Sequence, residues 1–544
     1  MNAGELLLGL VIFLPLLGAL VTAVAPTTPI RTPARIADSE HGAYAGSAGG
    51  SRGTVAGVRR TDWRGLSGAL IALATAAASI ALAAHVGAAG ESAELAPGGW
   101  GAPLGVRWIA DGLGVMFVAL TGLVGLAASV VAVMLPGATG AGGRPAPAFW
   151  PLWLGCWTGL NTVHVSGDFF NIYVGLELAG LTAVGLVALG GRAAWAAAFR
   201  YLIVTVVGSM LFLLAVGLIA SDTGTLDFRM AADIIGSHET MPPAITIAVL
   251  LGTAGMALKF ALAPLHGWLI PAHSSAPSVV SPLLSALVIK APVVVLLRLW
   301  TGIADESAAH AAASWILGAM GVTALLWGSI MAIRQTSLKK LIAYSTVAQA
   351  GYWVVAMPII GDPDVVGQGL TGPDSDHTVL FWVLTGTVAL IVAHGLAKAA
   401  LFLVAGLLKE HYGTDDMDEL SGAGREHPML AMTAGLSAIA LAGMPPSLAF
   451  GGKWQVATGA VMERQWWILA VVVVSTLLSV AYLLRILAPM LRDTGESRRA
   501  AIRPTGPAIP PVVAGAALAL AVAAVASGFI VVHFDALLQI GGPA

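Results

Sequence analysis

Four lysines, Lys259, Lys290, Lys398 and Lys453, stand in stretches otherwise built of Ala, Leu, Val, Gly and Phe. One acidic residue also lies well inside such a stretch: Glu177, in Asp168-Phe-Phe-Asn-Ile-Tyr-Val-Gly-Leu-Glu177. An ionisable group near the middle of a bilayer costs roughly 2.5–3.5 kcal/mol even on lenient insertion scales, so these side chains must face protein or a watered cavity rather than lipid. A lysine so placed suits proton transfer. Desolvation lowers its proton affinity toward neutrality, and a neighbouring carboxylate raises it again, so shifting or shielding the carboxylate loads or unloads the proton. Glu177 is the natural carboxylate partner. The competing reading is a set of static ion pairs that merely tie helices together, and four lysines in one chain argue against it. Histidines titrate near neutral pH, and His164, His266, His273 and His394 lie in or beside the same apolar stretches. His394 precedes Lys398 by four residues, on the same helix face, and could hand it a proton. His164 reads as a packing residue. No spacing suits a metal site, a bound cofactor or a nucleophile with its base, so a catalytic site is not expected in this chain.

The elements that position these residues are set by composition. The chain has 544 residues, 57% hydrophobic and only 10% charged, against about 25% charged in a soluble domain. Runs of roughly 18 or more apolar residues predict an all-α membrane protein with about fourteen spans, near 4–25, 66–89, 112–135, 148–166, 169–189, 196–220, 243–265, 275–299, 311–333, 341–360, 378–407, 429–456, 465–490 and 510–533. The first run is too long for a signal sequence and is read as a retained helix. Lys and Arg number 18 in loops after odd-numbered helices and 3 in loops after even-numbered ones. That asymmetry predicts a cell (inner) membrane protein with both termini on the outer side. The Gly-, Ser-, Pro- and Arg-rich segment 27–63 reads as a flexible cytoplasmic loop, and Glu94 to Val106 could form a small hairpin. The near-neutral balance excludes a nucleic-acid face. The one cysteine, Cys156, excludes an internal disulfide or a Cys-ligated cluster.

Six basic residues remain at membrane depth: the four lysines, Arg298 and Arg485. The two arginines lie near helix ends and are expected to snorkel to the interface. Asp111 and Asp168 sit at helix starts and read as caps. Two helices carry both a break and a lysine: the seventh, Lys259-Phe-Ala-Leu-Ala-Pro264-Leu-His266-Gly-Trp, and the twelfth, Gly443-Met-Pro445-Pro446-Ser-Leu-Ala-Phe-Gly-Gly-Lys453. Irregular backbone at membrane depth is tolerated only where it is buried in protein or lines a cavity. The two breaks are five helices apart, an odd offset, so homologous five-helix units there (helices 4–8 and 9–13) would lie inverted. The expected division is 1–147, with helices 1–3; 148–300 and 311–491, the two units; and 492–544, with helix 14.

At these residues the sequence resembles the proton-translocating membrane subunits shared by respiratory complex I, membrane-bound hydrogenases and Mrp-type cation/proton antiporters. The resemblance runs through Phe13-Leu-Pro-Leu-Leu-Gly-Ala19, Asp168 to Glu177, Gly208-Ser-Met-Leu-Phe-Leu-Leu, Pro264-Leu-His-Gly-Trp-Leu, His273 to Pro282, Leu338-Lys-Lys-Leu-Ile-Ala-Tyr-Ser345, His394-Gly-Leu-Ala-Lys-Ala-Ala-Leu-Phe402 and Gly443-Met-Pro-Pro. It implies fourteen helices in two inverted five-helix repeats. It also implies a coupling pair in Glu177 and Lys259, bridging lysines in Lys290 and Lys398, an outlet in Lys453, and a proton wire through His266 and His394, with His273 beside it. Two departures border the bridging region: Leu269-Ile270-Pro271-Ala272-His273 lacks the family's aspartate, and Ala291-Pro292-Val-Val replaces its Val-Gly-Val-Tyr. The short stretch after the last span, Lys453 in place of a glutamate, and His273 in place of a tyrosine make the chain most similar to the D-type member of an Mrp-type Na+/H+ antiporter. The implied partners are sister membrane subunits, lipid, protons and Na+. The alternative is the same machinery as a proton-pumping subunit of an NADH:quinone oxidoreductase or hydrogenase. An integral-membrane enzyme or an inert scaffold fits less well, because the polar residues do not cluster at one interface.

Overall fold

The computed structural model describes residues 2–25, 29–30, 61–103, 105–303, 307–366, 378–492 and 504–541. Segment 27–63 lies largely outside the described residues; at its edges Pro29–Ile30 (β1) pairs antiparallel with Thr61–Asp62 (β2). Helices occupy each place where an apolar run predicts one. They are α1 (Ala3–Val24), α2 (Trp63–Ala89), α3 (Gly112–Met134), α4 (Phe149–Val165), α5 (Phe169–Ala188), α6 (Arg192–Thr223), and, as a short amphipathic piece, α7 (Phe228–Gly236). There follow α8 (Pro243–Lys259), α9 (Leu269–Ser275), α10 (Val280–Gly302), α11 (Ala308–Ile333), α12 (Leu338–Tyr352), α13 (Val379–Tyr412), α14 (Pro428–Ala442), α15 (Leu448–Met462), α16 (Trp466–Leu491), α17 (Pro511–Ala526) and α18 (Val531–Leu538). Among the described residues ten helical segments are long and apolar enough to cross a membrane. Besides the short α7 and α9, the helices α4, α8, α12, α14 and α15 have 15–17 residues, and all of these but α4 border a break or kink. α7 was not expected from the sequence. The Glu94–Val106 stretch closes a hairpin, with Ala93–Leu95 (β3) antiparallel to Trp108–Ala110 (β4).

Helix starts follow the side chains that can accept from free backbone N–H groups. Asp111 accepts from Gly114 N and Asp168 from Asn171 N, as expected of caps, and Asp227, Ser307, Ser337, Thr378 and Ser447 do the same for α7, α11, α12, α13 and α15. α10 and α13 lie wholly inside the bundle, whereas α1, α16 and α17 keep broad apolar faces outward. The two central helices therefore carry Lys290, His394 and Lys398.

Close crossings recur at four glycine pairs. A Cβ on Gly159 would come 2.8 Å from the Gly175 carbonyl oxygen (α4 on α5), on Gly208 2.9 Å from Gly255 O (α6 on α8), on Gly321 3.0 Å from Gly351 O (α11 on α12), and on Gly386 2.7 Å from Gly452 O (α13 on α15). Real Cβ atoms do not approach oxygens so closely, so each crossing requires glycine on both helices.

Candidate functional site

α8 ends at Lys259. After it the backbone turns through Ala261, at φ +60, into a 3-10 turn at Leu265–Trp268. The break leaves carbonyls of α8 without helical partners, and the Trp268 indole, stacked 4.3 Å from Tyr201, donates to Leu258 O. Lys259 Nζ donates to Thr205 O (3.0 Å), Thr205 Oγ1 (3.0 Å) and Ser209 Oγ (2.6 Å) on α6. Its carboxylate partner is Glu177 Oε1, at 3.9 Å. The pair is therefore loose, and worth about 4 kcal/mol at an effective dielectric near 20 before screening. One correction follows. Glu177 is only partly buried: Oε1, facing Lys259, is enclosed, but the side chain is 20% exposed and shares the outward face of α5 with Phe170, Val174 and Leu181, a rotation of the helix that sequence position alone does not give. A small cavity of about 20 Å³ lies between Lys259 and α10, lined by Tyr201, Thr205, Lys259, Val288, Ala291 and Pro292 among others. It has room for about one water, which needs roughly 10–15 Å³ on this measure.

On α10 a π-helical stretch, Leu284–Val288, immediately precedes Lys290. Pro292 accounts for it. A proline lacks an N–H and crowds the carbonyl four residues back, and one widened turn absorbs that conflict. Fully buried Lys290 reaches Ser285 O at 3.0 Å, His394 Nδ1 at 2.6 Å and the face of Trp353 at 4.0 Å. At 2.6 Å the amine and the imidazole nitrogen need one lone pair between them. Charging both would cost on the order of 6 kcal/mol at a dielectric near 20, so at most one of the two groups carries a charge. His394 Nδ1 thus meets Lys290, not Lys398 as its position on α13 suggests. Lys398, fully buried one turn further along, donates to Ile342 O (2.9 Å) and Ser345 Oγ (2.5 Å). Ser285 Oγ meets Thr346 Oγ1 at 2.9 Å, and Thr346 donates to Ile342 O, so α12 joins the two lysines.

The second break runs from Gly443, at φ +68, to Ser447. Lys453 folds back across it to donate to Ala442 O (2.9 Å) and to Thr476 Oγ1 on α16 (2.8 Å), with Nζ 4.7 Å from the Tyr352 ring. A Cβ on Gly443 would lie 2.8–3.2 Å from Cδ, Cε and Nζ of this lysine. Glycine is needed here for both the left-handed turn and the space.

The other singled-out residues are placed differently. His273 is buried and stacked on Phe402, with neither ring nitrogen hydrogen-bonded among the described residues. His266 is half-buried on the 3-10 turn and makes no hydrogen bond to Lys259. His164 packs on Phe117. Arg298 does not snorkel; it is buried and holds Asp111 through two 2.7 Å bonds, so Asp111 is both cap and counter-ion. Arg485 is exposed and bonds Gln335 O at 3.3 Å. Lys339, counted from sequence as a loop cation, is only 1% exposed and donates to Ala276 O at the end of α9. Its neighbour Lys340 is exposed, and two adjacent lysines at a helix start give no signal for which one points inward.

Comparison with known proteins bears on the family and the fold. The family model described as NADH:quinone oxidoreductase/Mrp antiporter, transmembrane, matches residues 166–366 and 378–479. The chain is 32% identical over 422 residues to the N subunit of the NADH-quinone oxidoreductase of Desulforudis audaxviator, covering 78% of this chain and 79% of that one. It is 30% identical over 392 residues to the D-type member of the Na(+)/H(+) antiporter of Alkalihalophilus pseudofirmus, covering 72% and 74%. Its fold matches a chain of the solved Mrp complex from Dietzia sp. with TM-score 0.78 over 100% of this chain and 98% of that one, at 22% identity. With its apolar helices, its two lysine-bearing breaks and a family match over more than half its length, the chain is a multi-pass membrane protein that belongs to the NADH:quinone oxidoreductase/Mrp antiporter family.

Proposed function

We propose that this chain is the ion-translocating subunit of a multisubunit monovalent cation (Na+)/proton antiporter, and that protons cross it along Glu177, Lys259, Lys290, His394, Lys398 and Lys453, with His266 and His273 beside the path. The observation that carries the reading is that Lys259, Lys290, Lys398 and Lys453 are all buried and held by neutral acceptors, apart from the loose contact with Glu177. Glu177 sets the charge on Lys259. A water in the small cavity beside that lysine passes the proton toward α10 and the Lys290–His394 pair, and Lys398 and Lys453 pass it on. A carboxylate on an outward apolar helix face is too costly in lipid, which supports a sister subunit seated against α5 that supplies a cationic or hydrogen-bonding partner.

The proposed topology has fourteen crossings with both termini outward, divided at 1–147, 148–300, 311–491 and 492–544, the middle two being inverted repeats. The glycine pairs support it: α4 on α5 and α6 on α8 have counterparts in α11 on α12 and α13 on α15. A second reading, a proton-pumping subunit of an NADH:quinone oxidoreductase, is favoured by the 32% identity to an N subunit of such an enzyme. Co-purification separates the two: only small membrane subunits beside this chain support the antiporter, and iron–sulfur proteins support the redox complex. For the ion path, Glu177→Ala and Lys259→Ala are each expected to abolish cation-induced proton movement in everted vesicles with the complex still assembled. Normal exchange in both variants overturns the reading.

A further inference from the structure

Between Lys398 and Lys453 the bundle holds a polar seam that the ion path above leaves without a role. α12 presents Ser345, Gln349 and Tyr352 at intervals of four and three residues, which puts them on one face over about 10 Å of rise. α16, running antiparallel, answers with Tyr482, Ser479 and Ser475, again at three and four, and with Thr476 beside them. All but Thr476 are buried. The contacts fall into three runs, with no hydrogen bond among the described residues joining Ser345 to Gln349 or Ser479 to Ser475. Lys398 donates to Ser345; Gln349 Nε2 donates to Tyr482 OH (3.0 Å) and to Leu441 O (3.2 Å); Tyr482 donates to Ser479 (3.2 Å). Ser475 donates to Tyr352 OH (2.7 Å), Tyr352 OH lies 3.4 Å from Thr476, and Thr476 receives Lys453. Burying this many hydroxyls is costly unless each is paired, and a hydroxyl that both donates and accepts can take a proton on one side while releasing its own on the other.

We propose that the α12–α16 seam is the proton-conducting link between the central lysine and the second break. Lys398 releases its proton toward Ser345. The Tyr482, Ser479, Ser475, Tyr352 and Thr476 hydroxyls each accept one proton and pass on another, with water bridging from Ser345 past Gln349 to Tyr482 and from Ser479 to Ser475, and Lys453 receives the last from Thr476. No net charge or bond change remains on the seam. Gln349 acts as a positioning residue, holding Tyr482 against the break through Leu441 O. The inference rests on the proposed function, because it requires that Lys398 and Lys453 carry protons.

The test uses the whole complex in everted vesicles, comparing Tyr482→Phe, Tyr352→Phe and Gln349→Met with Lys398→Ala, Lys453→Ala and the exposed-face control Thr323→Val, in H2O and D2O. The phenylalanine variants keep ring volume and complex level. They are expected to slow cation-driven proton movement tenfold or more and to raise its solvent isotope effect to twofold or above, while Gln349→Met slows it less and Thr323→Val leaves it unchanged. Wild-type rates and isotope effects in both phenylalanine variants, with Lys398→Ala and Lys453→Ala inactive, overturn the seam and leave the proposed function standing. Normal exchange in the two lysine variants overturns both.

Discussion

Gly443 offers a sharp perturbation, because one methyl group there acts on Lys453 without removing any ionisable residue. Its φ of +68 costs an L-residue roughly 1–2 kcal/mol, and the new Cβ would lie 2.8 Å from Cδ, 3.0 Å from Cε and 3.2 Å from Nζ of Lys453. The lysine stem is flexible and gives way. In doing so it leaves Ala442 O and Thr476 Oγ1, two bonds from a charged donor, each worth about 1.5–3 kcal/mol. The sum, roughly 4–8 kcal/mol before the freed lysine finds other acceptors, is large enough to empty the site. Gly443→Ala is therefore expected to lower the melting temperature of the purified complex markedly and, per assembled complex, to cut proton movement in everted vesicles at least tenfold. The control is Gly435→Ala on α14, where the added methyl meets nothing within 4 Å and alanine gains up to about 1 kcal/mol of helix propensity; its transport should equal wild type. Equal, undiminished transport in both variants would refute the placement of Lys453 in the path.

Gly208→Ala should weaken both stability and transport, since its Cβ would stand 2.7 Å from Lys259 Cγ and 2.9 Å from Gly255 O; a thermal shift without a transport loss would separate packing from function. Arg298→Ala strands the buried Asp111 carboxylate, at about 3–5 kcal/mol, and should appear as lost complex in the membrane. Unchanged complex levels would show that the pair carries little of the fold. Lys339→Ala removes the donor to Ala276 O and should cost about 1–3 kcal/mol in a detergent melt, against less than about 0.5 kcal/mol for exposed Lys340→Ala. Equal shifts would place both lysines at the surface.

Much of this site is legible in the sequence because the membrane makes charge placement expensive. Lys259, Lys290, Lys398 and Lys453 stand out against apolar neighbours, and glycine and proline at 443–446 and at Pro264 mark the breaks. Asp111 and Asp168 are readable as caps from their place at the start of an apolar run. Rotational and tertiary facts are not. Glu177 shares its outward face with Val174 and Leu181, yet a helix apolar all round gives no phase to predict that. His394 is one turn from Lys398 in sequence, and only the approach of α10 gives it Lys290 instead. The Arg298–Asp111 pair joins residues 187 apart. The polar stripes of α12 and α16 each look like scattered Ser, Gln and Tyr until the helices are set antiparallel.

The most direct measurement is cation-driven proton flux by the purified whole complex in proteoliposomes, with Lys290→Ala and Lys398→Ala against wild type. Those two lysines are fully buried on the central helices. Both variants are predicted to assemble with every sister subunit and to lose proton flux. Wild-type flux from either assembled variant would contradict a proton path through the buried lysines.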